Sequence, residues 1–184
     1  MKAKSVFGIY GSRMGVERAV GAFREAGFPN SDVSVLLPEN LGTKEFATEK
    51  STKAPEGATT GAGTGAVIGG ALGWLVGIGA LAIPGLGPFI AAGPIVAALA
   101  GVGVGGAVGG FTGALIGLGI PEFEAKLYEG RLSKGGILIA VHCETAGEVT
   151  RAKEVMQATG AEDISSSSEL GAGHDEIAAR RAGA

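Results

Sequence analysis

Glycine recurs at every fourth position in two long stretches of this chain, and that spacing restricts what the chain can become. Gly61, Gly65, Gly69, Gly73 and Gly77 form one ladder; Gly101, Gly105, Gly109, Gly113 and Gly117 form the other, which small residues extend back through Ala97 and Gly93. A four-residue spacing sets small residues along one ridge of an α-helix, where a second backbone can come close. Each glycine costs a helix about 1 kcal/mol relative to alanine, so the two ladders together cost on the order of 10 kcal/mol in water. Close packing must offset that cost, or hydrocarbon must leave the backbone no other partner. A collagen repeat would need a period of three. Disorder does not fit either, because Val, Ile, Leu, Trp and Phe fill the gaps between the glycines.

From Gly57 to Pro121 the chain holds no charged residue and no histidine. Two apolar segments, 61–83 and 89–119, are each long enough as helices to cross about 30 Å of hydrocarbon. "IPGLGP" between them has turn chemistry, and Pro94 starts or kinks the second helix. Three arrangements suit such an insert: a hairpin in a bilayer, an assembly in which many hairpins bury one another, or an unusually glycine-rich core. The absence of charge favours the bilayer. Two crossings return the chain to its starting side. A second small ridge (Ala62, Ala66 and Gly70; Gly106, Gly110 and Ala114) leaves a face for a neighbouring molecule, so a homo-oligomer is expected.

The segments around the insert repeat one plan. "KSVFGIY" is a strand; Ser12 caps a helix with an apolar face of Val16, Ala19, Val20 and Phe23; Gly27 stops it; "DVSVLL" is a second strand. Later, "GILIAVHC" is a strand, Thr145 and Glu148 form a capping box, Val149, Ala152 and Met156 make the helix face, Gly160 ends it and "DISSS" is an edge strand. Ser12 aligns with Thr145, Val16 with Val149, Arg18 with Arg151 and Gly27 with Gly160. Two βαβ units in a small domain predict an α+β chain, a split ferredoxin-like fold interrupted by a glycine-zipper helical hairpin. The boundaries follow: 1–38 and 135–168 are the two halves, 39–60 a polar linker, 61–120 the hairpin, 121–134 an amphipathic connecting helix and 169–184 a flexible tail.

The 184 residues carry a net charge of −3, which argues against a nucleic-acid partner. One cysteine, Cys143, excludes an intrachain disulfide and a cysteine-based zinc site, and fits a reducing compartment. The N-terminus has no apolar secretory core, so both charged ends are expected on the cytoplasmic side. No catalytic, cofactor-binding or metal-binding residues are assigned. Gly11 and Ser12 read as an ordinary cap rather than an anion site, His142 has no ligating partner, and Glu122 and Glu124 point different ways on a helix. Alternation along the third strand puts Ile137, Ile139, Val141 and Cys143 on one face and Leu138, Ala140 and His142 on the other. With the helices on the first face, Phe7, Ile9, Leu138 and Ala140 would be left bare. They are expected to pack on a second copy, or on the flanking helix through Phe123 and Leu127.

The apolar insert with its flanks, "TKAPEGATTGAGTGAVIGGALGWLVGIGALAIPGLGPFIAAGPIVAALAGVGVGGAVGGFTGALIGLGIPEFEAKLYEGRL", resembles the bacterial general-stress, heat-induced protein family with a glycine-zipper insertion. The opening "VFGIYGSRMGVERAVGAFREAGF" looks like that family's N-terminal domain. Strand-helix-strand plus a two-helix hairpin also resembles the small membrane-anchored subunit of the quinol:electron acceptor oxidoreductase. The first resemblance implies a stress-linked bacterial protein; neither brings catalytic residues or a cofactor. Together these readings predict a non-enzymatic, self-associating protein of the bacterial inner membrane, partnered by lipid and by its own copies. A cofactor-free respiratory subunit and a lipid-free filament or shell are the alternatives.

Overall fold

The computed structural model describes residues 4–43, 72, 74–75, 77–83, 85–105 and 110–168. The chain is α+β, with helices on both faces of an antiparallel sheet. The elements in chain order are β1 (Lys4–Tyr10), α1 (Arg13–Glu25), β2 (Val33–Pro38), α2 (Glu39–Thr43), β3 (Gly79–Ile83), β4 (Gly87–Ala92), α3 (Pro94–Gly105), α4 (Gly110–Gly117), α5 (Glu122–Ser133), β5 (Ile137–Cys143), α6 (Ala146–Thr159) and β6 (Glu162–Ser168). The six strands lie in the order β3-β4-β2-β5-β1-β6, every neighbour antiparallel.

The two strand-helix-strand halves close their helices with matching hydrogen bonds. At the N-termini, Gly15 N–H donates to Ser12 Oγ at 3.2 Å and Glu148 N–H to Thr145 Oγ1 at 3.1 Å. Val16 N–H reaches Ser12 O at 3.2 Å and Val149 N–H reaches Thr145 O at 3.1 Å. At the C-termini, Phe28 N–H returns to Phe23 O at 3.0 Å and Ala161 N–H to Met156 O at 2.9 Å. Gly27 and Gly160 stand at φ +85° and +88°, a region closed to most side chains. Only the second half completes a capping box.

One face of the sheet carries α1 and α6. Val6, Val33, Val35, Ile137, Ile139, Val141 and Cys143 meet Val16, Ala19, Val20, Phe23, Ala152 and Met156 there. The tip of this layer is polar but satisfied: Tyr10 Oη lies 2.8 Å from Thr159 Oγ1, which itself donates to Val155 O at 2.7 Å. The opposite face carries α3, α4 and α5 over Phe7, Ile9, Leu36, Leu138 and Ala140. The alternation expected along the third strand is therefore the one observed.

The insert departs from the expected pair of helices. Residues 79–92 form a β-hairpin, not the end of one helix and the start of another, and they widen the sheet beside β2. The turn expected at "IPGLGP" is present: Leu86 N–H donates to Ile83 O at 3.0 Å, with Gly85 at φ +83° and Gly87 at φ +99°. Pro38 and Pro88 explain why strands are tolerated here. Pro38 pairs with Phe89 and Pro88 with Ala82, and neither proline has an amide hydrogen to lose from the ladder. Helix α3 then begins at Pro94, where a missing amide hydrogen costs nothing. The expected linker 39–60 opens with a short helix, α2; the rest of the linker and the tail 169–184 lie outside the described residues.

Among the described residues no helix is long and apolar enough to cross a membrane. With 12 residues in α3 and 8 in α4, each falls well short of the ~20 that hydrocarbon demands.

Candidate functional site

Three groups of residues stand out. The first is the sheet face expected to be bare. Phe7, Leu138 and Ala140 have no exposed surface and Ile9 has 3%. They are brought together as expected, but the cover is supplied within the chain. Leu99, Phe111, Leu115 and Leu132 pack on them, and the Phe7 and Tyr128 rings lie 6.4 Å apart. The flanking-helix expectation holds for the element and fails for the residues. Helix α5 uses Ala125, Tyr128 and Leu132, spaced along one face, while Phe123 is 79% exposed. The second-copy role expected of these four residues is corrected by that burial.

The second group is the glycine ladder. Gly61, Gly65, Gly69, Gly73 and Gly109 lie outside the described residues. Gly77 sits in a bend at φ +67°, not on a helix ridge. Gly101 and Gly105 are in α3, Gly113 and Gly117 in α4. Helix α3 buries Ile95, Val96 and Leu99 and exposes Ala97 and Ala98; α4 buries Phe111, Ala114 and Leu115 and exposes Ile116 and Gly117. At 100° per residue, Ala97 in α3 and Gly113 and Gly117 in α4 lie opposite the residues that their helices bury. Among the described residues a Cβ added at Gly117 would meet nothing within 4 Å, so their packing gives no reason for glycine there. The contrast is Gly93, whose added Cβ would lie 2.4 Å from Val33 O at φ +93°, so internal packing alone demands glycine.

The third group was not visible in the sequence. Strand β6 shifts register against β1 between Phe7 and Ile9, and Asp163 stands at φ +52° in the bulge so formed. Helix α5 grips this bulge. Tyr128 Oη donates to Asp163 O at 2.7 Å and lies 2.6 Å from Ser165 Oγ. Arg131 places Nη1 3.2 Å from Glu162 Oε2 and Nε 2.8 Å from Asp163 Oδ2. The last contact is an ion pair by distance whose N–H direction misses the oxygen, leaving Asp163 Oδ2 without a hydrogen bond. Burial pushes the Tyr128 hydroxyl up to about 12, opposed by its hydrogen bond from Ser165. A nucleophile with a base beside it is not assembled here; the group ties a helix to an edge strand. The only signals in the sequence were Tyr128 and Arg131 three apart on one helix and an aspartate opening a serine run.

The residues set aside earlier keep structural roles. Ser12 Oγ is engaged by its own helix. His142 N–H donates to Asp32 O at 2.8 Å, and Cys143 is buried. Among the described residues no group of His, Cys, Asp and Glu could hold a metal ion. No protein-family model, curated protein or solved structure matches this chain.

Proposed function

We propose that this protein is a non-enzymatic assembly unit whose copies pack through the small-residue faces of α3 and α4. One observation carries the reading: Gly117 is exposed on a helix, among the described residues a Cβ there would touch nothing, and α4 already packs against α3 and α5, burying Phe111, Ala114 and Leu115. A helical glycine that gains no contact from the described residues is accounted for by a close neighbour on a second copy. The four strands of the duplicated halves, in the order β2-β5-β1-β6 with α1 and α6 on one face, support the ferredoxin-like reading. The stress-linked role rests on the resemblance of the insert and the opening segment alone.

Gly117→Leu tests the proposal. The expected outcome is loss of the oligomer on sizing or light scattering, with thermal stability of the monomer unchanged or raised. An unaltered oligomer refutes the ridge as an interface.

A second reading has its own support. The uncharged run from Gly57 to Pro121 favours attachment to a bacterial inner membrane with both ends cytoplasmic. Fractionation separates the two. Recovery in membranes that resists carbonate favours lipid; recovery as detergent-free particles favours assembly by protein contacts alone.

A further inference from the structure

The two edges of the sheet are unlike each other. Strand β6 ends one side with Glu162, Asp163 and a bulge that bends it, features that discourage another strand from adding there. Strand β3 ends the other side with the sequence GALAI, which has no charge, no proline and a regular register against β4 from Gly79↔Ala91 to Ile83↔Gly87. Among the described residues nothing pairs with its outer edge.

The prolines show which backbone groups face outward. Antiparallel neighbours alternate between bonded and non-bonded pairs. Pro88 opposite Ala82 and Pro38 opposite Phe89 both lack an amide hydrogen, so both pairs fall in the non-bonded class. Phe89 then bonds to Leu81, and the N–H and C=O groups of Ala80 and Ala82 turn to the open edge. The side chains of Ala80 and Ala82 are exposed, whereas Leu81 and Ile83 pack into the α3–α5 layer.

We propose that β3 docks on the β3 of a second copy, antiparallel about a two-fold axis through Leu81. The strand suits itself in that orientation. Ala80 of each copy would exchange N–H and C=O with Ala82 of the other, and Leu81 would face Leu81 across a non-bonded pair. No like charges meet, and small methyl groups line the exposed side. Head-to-tail growth of β3 onto β6 is disfavoured, because β6 brings a bulge and two carboxylates to the contact. A five-residue strand pair falls short of the ~1,000 Å² of a lone stable interface. It therefore acts with the helix ridge of the proposed function, on which the choice of a second copy partly rests. Two separate self-complementary surfaces on one chain carry assembly beyond a dimer, to a closed tetramer or an open string according to how their two-fold axes are set.

Disulfide capture in the full chain is the test, because it traps weak pairing as well as strong. Leu81→Cys is expected to cross-link two copies under mild oxidation about tenfold faster than Glu154→Cys, an exposed control on α6. Adding Ala82→Pro, which removes one outward amide hydrogen, should abolish the cross-link while circular dichroism stays the same. Gly117→Leu should leave cross-linking in place at lower yield, so failure of the ridge and failure of the edge give different results. Leu81→Cys that stays folded yet cross-links no faster than the control overturns the proposal. So does a monomer in which Ala82→Pro lowers the melting temperature without changing the mass, since β3 would then be paired by residues of its own chain.

Discussion

The Ser34 hydroxyl, buried in β2, accepts the amide hydrogen of Ile95 at 3.0 Å and so caps α3 from a strand 61 residues earlier. Helix α3 has no capping side chain of its own, since Gly93 and Pro94 precede Ile95. The bond fastens the insert to the duplicated sheet. Ser34→Ala is expected to cost about 1–2 kcal/mol by chemical denaturation, the range for a lost cap at a buried site. Gly93→Ala should cost more, because the added methyl strikes Val33 O and the positive φ is itself strained. A Ser34→Ala variant as stable as the parent would show that α3 is held by its apolar contacts alone.

Leu138 lies in the middle of the face that α3, α4 and α5 cover. Leu138→Ala should lower stability by about 2–5 kcal/mol, as for a leucine truncated in a closed core. Leu138→Glu should abolish cooperative unfolding rather than dissociate folded copies. Calorimetry alongside sizing distinguishes the two: a folded monomer of Leu138→Glu would mean that the face is an interface after all.

The chain has two tyrosines, and burial raises the pKa of both Tyr10 and Tyr128, holding their hydroxyls neutral. Phenolate absorbance should therefore stay low in the native protein at pH 10, where a free tyrosine is half ionised, and rise together with unfolding. The linkage has one sign. A folded pKa above the unfolded one favours the neutral hydroxyl, so its stabilisation is complete below pH 10 and is lost as pH climbs towards about 12. Tyr128→Phe removes the bonds to Asp163 and Ser165 and should flatten part of that alkaline loss. Ordinary titration of both tyrosines in the folded state would contradict the buried network.

Backbone amides of Glu144 and Thr145 hold the Glu148 carboxyl below its usual range. Its folded pKa is depressed, so the contribution is present above the unfolded value and lost as pH falls through the folded one. Glu148→Ala should reduce the acid dependence of stability, and Thr145→Ala should cost about 1 kcal/mol. Ser12→Ala should cost no more, since its cap lacks the reciprocal bond; a larger loss there would mean that the first half depends on its cap more than the second.

The duplicated halves were legible because their signals are local. Ser12 and Gly27 recur as Thr145 and Gly160, and the apolar faces between them hold. The β-hairpin at 79–92 was not. An unbroken apolar run suits a buried strand as well as a buried helix, and the glycine period upstream favoured the helix. The counter-signal was short: Phe89 and Ile90 beside a Pro-Gly turn that also joins strands. Helix α5 was placed correctly and Tyr128 was among the residues expected to face inward, but Ala125 and Leu132 share the covered face with it rather than Phe123. The bulge at Asp163 leaves no trace in composition, being set by the pairing with β1.

The strand order also dictates when this protein can exist at all. Strands β1 and β2 do not touch each other; β5 lies between them and pairs with both. A ribosome therefore finishes the entire first half and the whole apolar insert before the strand that joins them has been made. Until Ile137–Cys143 emerges, neither face of the sheet can close, and Phe7 and Leu36 wait uncovered. Such distant pairing is slow to form and exposes apolar surface meanwhile. The vulnerable interval for this chain is its synthesis, and a truncation anywhere before Ile137 leaves a sticky fragment rather than a smaller domain.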